Sequence, residues 1–140
     1  YYADDILKCT GSVNGILNKA EADKRSPLKW ETPVSKLKHC SLEIYAGVYD
    51  GLEGNGPIPI THSINFYNKV LKDMKVRDRK SYVSDSEKLS LLEFRKPLGD
   101  FGKIGGREIC LMKSSGNFSL TIFTGMHEML LHYAFENLFR

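Results

Sequence analysis

The sequence is poor in cysteine, in long apolar runs and in any surplus of one charge, and each shortage removes a class of protein. Its three cysteines, Cys9, Cys40 and Cys110, show no C-x-x-C spacing, which argues against a zinc knuckle or a redox dithiol. Cys110 sits in an alternating pattern and reads as a small buried apolar residue. No apolar run approaches the ~20 residues of a membrane span. Lys and Arg number 20 against 17 Asp and Glu, a net charge of +3, too balanced for a nucleic-acid binder with clustered basic residues. The densest basic run, Lys72 to Lys80, is interrupted by Asp73 and Asp78 and reads as a solvated helix end and loop. The Gly-rich "LGDFGKIGG" matches neither G-x-G-x-x-G nor G-x-x-x-x-G-K-[ST], so it reads as a loop. There are no internal repeats, no signal peptide and no initiator Met. The opening "YYADDILKC" reads as part of something longer, which leaves localisation open.

What is present is an ordinary globular mix. The 140 residues are 41% hydrophobic and 26% charged, and by size they suggest one domain. Residues 1–25 are polar and helix-friendly, with Ser12 as N-cap and Val13, Ile16, Leu17 and Ala20 at helical spacing. Pro27 and Pro33 break that helix. In "CSLEIYAGVYDG", Leu42, Ile44, Ala46 and Val48 share one face and Tyr45, Gly47 and Tyr49 the other. Both faces are largely apolar, which predicts a central strand of a parallel sheet with helices on each side. After the loop "GLEGNGPIPI", Thr61 is the expected N-cap of a helix whose stripe is Ile64, Tyr67, Val70, Leu71 and Met74. "SDSEKLSLLEFRKPL" predicts a second helix, opened by a Ser84–Glu87 capping box and closed before Pro97. Alternating runs at 107–113 and 118–124 flank the turn Ser114–Asn117 and predict a hairpin. Met129, Leu130, Tyr133, Ala134, Leu138 and Phe139 predict a final amphipathic helix. The order is helix, strand, helix, helix, hairpin, helix, an α/β chain with a mixed sheet.

In open α/β sheets, ligands bind beyond the carboxyl ends of the strands. Asp50 follows the strand expected to end at Val48, and His127 follows the strand expected to end at Thr124. A carboxylate and an imidazole side by side make the acid–base pair of a serine hydrolase. The carboxylate fixes the tautomer and steadies the imidazolium that forms when Nε2 takes the serine proton. Read separately, Asp50-Gly51 is a common turn and His127 a helix-start residue. His39, His62 and His132 lack such a context. "HEMLLH" spaces its histidines five apart, not the four that lets two share a helix face, so no metal site is expected. Glu128 reads as a first-turn charge that favours the helix dipole.

Taken together, "RSPLKW", "LEIYAGVYDGLEGNGPIPITHSINFYNKVL" and "LTIFTGMHEML" resemble the C-terminal half of an α/β-hydrolase, of the prolyl-oligopeptidase-like and esterase kind. The shared features are R-S-P before a core strand, G-x-x-D-G with a nearby Ile-Pro and helix, and a strand ending in G-x-H-E. The resemblance spans about residues 23–139 and implies Asp50 as triad acid and His127 as triad base. It implies a C-terminal portion of the hydrolase sheet, with flanking helices and a β-hairpin, over 26–140, and a cap or linker helix over 1–25. Its substrates would be small-molecule esters, acylated sugars or peptides, with no cofactor, no metal and no nucleic acid. Secreted or periplasmic relatives are part of the same expectation. The nucleophile elbow G-x-S-x-G is absent, and with it the oxyanion-hole donors. The chain is therefore expected to need a missing N-terminal half, or to self-associate. The alternative is a non-catalytic α/β module that binds a partner or a glycan.

Overall fold

The computed structural model describes residues 39–52 and 58–128, together with 18, 20, 24, 29 and 130. The chain divides into two compact units, Tyr1–Thr32 and Pro33–Arg140, and the fold that follows is that of the second. The expected helix around Val13, Ile16 and Leu17 lies outside the described residues, although Ala20 and Lys24 are helical. So do Cys9, His132 and the C-terminal helix from Met129 onward, of which Leu130 alone is described.

The fold is mixed α/β. Strand β1 (Leu42–Gly47) is followed by helix α1 (Ile60–Asp73), a 3₁₀ turn (Arg79–Ser81), helix α2 (Asp85–Phe94) and strands β2 (Lys103–Ile104), β3 (Arg107–Ser115) and β4 (Phe118–Phe123). The sheet order is β1-β4-β3-β2. β1 and β4 run parallel, Leu42 opposite Phe118 and Gly47 opposite Phe123, while β3 is antiparallel to both β4 and β2. The expected central strand is thus the end strand of the four described here. Both strands carrying the candidate residues stop a residue earlier than their apolar pattern suggests, at Gly47 and Phe123, because the chain turns as soon as the ladder ends.

One face of the sheet carries the main core. Ile60, Ile64, Tyr67, Val70 and Leu71 of α1 pack with Leu91 of α2 on Ala46, Val48, Leu120 and Ile122. The other face holds a smaller cluster of Ile104, Ile109 and Phe123, flanked by Tyr45 and Leu130. The helices expected on both faces are, among the described residues, on one. A bulge between Ile109 and Leu111 breaks the alternation expected of β3: Ile109 joins the small cluster, and Cys110 and Leu111 both enter the main core. The carbonyl of Cys110 then accepts the Leu98 N–H at 2.9 Å. Burial, with Glu108 nearby, pushes the Cys110 thiol up to about 11, so it packs as an inert apolar group.

The helix starts differ in how they are made. Ser84 and Glu87 form the full capping box of α2. For α1 the expected cap at Thr61 is not used. Pro59 holds the cap position with no side-chain bond, its carbonyl accepts the His62 N–H at 2.9 Å, and the burial of Ile60 to 1% exposure draws the helix start forward. "LGDFGKIGG", expected as a loop, contains the short strand β2, paired with β3 around Gly105-Gly106. No helix among the described residues is long and apolar enough to cross a membrane.

Candidate active site

The carboxyl ends of β1 and β4 lie next to each other because the two strands are parallel neighbours. Backbone bonds continue past both strands and bind the two following segments together. Val48 N–H donates to the Phe123 carbonyl at 2.7 Å and Tyr49 N–H to the Gly125 carbonyl at 2.9 Å. The β1 turn closes on itself through Asp50 N–H to the Gly47 carbonyl at 3.0 Å. Gly51 follows with φ +77, a conformation that favours glycine.

This arrangement brings together the two residues singled out in the sequence, 77 positions apart. His127 Nδ1 lies 2.8 Å from Asp50 Oδ2, inside the 2.6–3.2 Å range of a working acid–base pair. A carboxylate can only accept, so Nδ1 carries the hydrogen and donates it. The burial of the two partners is unequal: the Asp50 side chain is 10% exposed and that of His127 53%. Asp50 Oδ1 is buried and has no hydrogen-bond partner among the described residues. The carboxylate is thus withdrawn, and the ring is half exposed, with Nε2 making no hydrogen bond to a described residue.

The pair opens into a cleft of about 530 Å³. Tyr45, Ala46 and Gly47 of β1 form one side, Ile58 and Ser63 from the start of α1 another, and Met126, Glu128 and Leu130 flank the histidine. Ile58 and Met126 are 42% and 54% exposed, so the mouth beside His127 is apolar. His62 and His39 are exposed and do not line it. No group of three His, Cys, Asp or Glu among the described residues is arranged to hold a metal ion.

Two arginines brace the segments that carry the pair. Arg95, at the left-handed C-cap of α2 with φ 52, donates from Nη1 to the Val48 carbonyl at 2.6 Å and from Nε to the Leu92 carbonyl at 2.9 Å. Arg107 on β3 donates to the Thr124 carbonyl at 3.2 Å and pairs with the Glu128 carboxylate at 2.7 Å. The other oxygen of Glu128 accepts the Met126 N–H at 3.1 Å. Glu128, expected only as a charge near a helix start, is therefore a strut across the histidine loop. Neither arginine carries a sequence signal, because each acts through a partner distant in the chain. Comparison with protein-family models, with curated proteins and with solved structures yields no match in any of the three, and the reading of the site rests on its own geometry.

Proposed function

We propose that Asp50 and His127 are the acid and base of a Ser-Asp-His triad in an α/β-hydrolase that cleaves ester or peptide bonds, with the serine and the oxyanion-hole donors supplied by residues outside these 140. The supporting observation is the 2.8 Å contact between His127 Nδ1 and the buried Asp50 carboxylate at adjoining carboxyl ends of two parallel strands. In this reading Asp50 fixes the tautomer, and His127 Nε2 takes the proton from the attacking serine hydroxyl. The imidazolium, steadied by Asp50, then returns that proton to the leaving group, and water repeats the sequence to release the acyl group. The nucleophile would approach from the exposed side of the ring, across the cleft.

A fluorophosphonate probe applied to the complete protein is expected to label one serine, which peptide mapping places outside these residues. His127→Ala is expected to reduce that labelling by ~10⁴-fold or more, and Asp50→Asn to reduce it strongly through the wrong tautomer. Undiminished labelling of His127→Ala would remove its assigned role. A complete protein with no reactive serine would favour the non-catalytic binding module instead.

A further inference from the structure

The basic run at the end of α1 folds around a depression of about 760 Å³. The chain's positive charge is concentrated there. Residues 69–80 hold six Lys or Arg and two Asp, a net of +4, whereas the whole chain carries +3, so all other residues together sum to −1. Both aspartates in the stretch are engaged. Asp73 pairs with Lys69 one helical turn before it. Asp78 caps the 3₁₀ turn, accepting from Lys80 N–H at 3.1 Å and from the Ser81 hydroxyl at 3.0 Å. Lys72, Arg77 and Arg79 line the depression, and no described residue forms an ion pair with any of them. No carboxylate is among the described residues that line it. Three unpaired cations around one concavity repel each other and raise its potential, a field that an anion relieves.

The walls are fixed before any ligand arrives. The Tyr82 hydroxyl donates to the Val76 carbonyl at 2.9 Å. The Asn68 side chain holds both backbone groups of Val83, at 3.0 and 2.8 Å. The loop bearing Arg77 and Arg79 is therefore tied to α1 through the residues that follow it. Val76 and Tyr82 give the depression an apolar side, and Asn65 adds an amide. Its volume is that of a small-molecule site, and guanidinium forks match the oxygens of a phosphate. We propose that this depression binds a soluble small molecule through a phosphate or pyrophosphate group held by Lys72, Arg77 and Arg79, with the organic part against Tyr82. It shares no lining residue with the Asp50–His127 cleft, so it stands or falls separately from the hydrolase reading.

The test is calorimetric titration of the complete protein with inorganic pyrophosphate, at low and at physiological ionic strength. The expected result is saturable binding that Arg77→Ala/Arg79→Ala weakens about tenfold or more. Lys72→Gln, a separate single change at an exposed position, is expected to weaken it in the same direction. Lys96→Ala/Lys103→Ala removes the same charge from exposed positions outside the depression and should leave the affinity unchanged. Equal losses in the two double variants would reduce the effect to general charge and overturn the site. Absence of pyrophosphate binding would overturn it too, as would binding only to phosphatidylserine vesicles.

Discussion

At Gly47 the acid-bearing segment lies directly against the backbone of the base-bearing one. A Cβ there would collide with the carbonyl oxygens of Met126 and Gly125, and backbone atoms cannot step aside as a side chain can. Gly47→Ala is expected to destabilise the chain by about 1–3 kcal/mol, read from denaturant midpoints. It is also expected to move His127 away from Asp50 and so lower serine labelling in the complete protein. Unchanged stability with full labelling would show that the loop yields freely. At this scale the sequence was partly legible. Asp50 and His127 could be picked out because each follows an apolar run that ends abruptly. Gly47 looked like one more small residue on a strand face. Arg107 and Glu128 were hidden because a bond across 21 residues leaves no periodic trace.

Among the elements, α2 shows how a local signal becomes tertiary. Its capping-box residue Glu87 also reaches Lys113 on β3, at 2.8 Å. Burial by itself would raise the Glu87 pKa, but hydrogen bonds from Lys113 and from the Ser84 N–H and hydroxyl outweigh it and hold the group below its ordinary 4.5. The folded state thus binds this proton less readily than the unfolded state does. The resulting stabilisation is present above about pH 4.5 and is lost as pH falls through the lowered value. Glu87→Gln is expected to flatten the acid side of the stability–pH curve and to lower the melting temperature at neutral pH. An unaltered acid limb would show that the contact contributes nothing. S-x-x-E was readable because it lies within four residues. The start of α1 was not, since burial of Ile60 rather than a side-chain cap decided it. The β3 bulge was not readable either, since hydrophobic alternation assigns faces but does not register an extra residue.

At the scale of the whole unit, periodicity gave the elements without saying which strands are neighbours. That information decides the site, because only the parallel pairing of β1 with β4 joins positions 77 apart. The pair should therefore depend on the core as a whole. Leu120, fully buried in β4 and opposite Ile44 of β1, tests this far from any contact with the dyad. Leu120→Ala is expected to cost about 2–5 kcal/mol, a large share of the ~5–15 kcal/mol that holds a domain together. The melting temperature should fall by about 2–4 °C per kcal/mol, the slope for a chain of about 150 residues. Leu89→Ala removes the same atoms from a side chain 64% exposed on α2 and should stay within about 0.5 kcal/mol. In a thermal scan, the circular dichroism of the sheet and the imidazole NMR signals of His127 should change at one midpoint in each variant, as two-state unfolding requires. If the His127 signals shift well below the midpoint in Leu120→Ala, the loop bearing the base is its own cooperative unit. The ladder bonds from Val48 and Tyr49 would then not be what fixes the base against its acid.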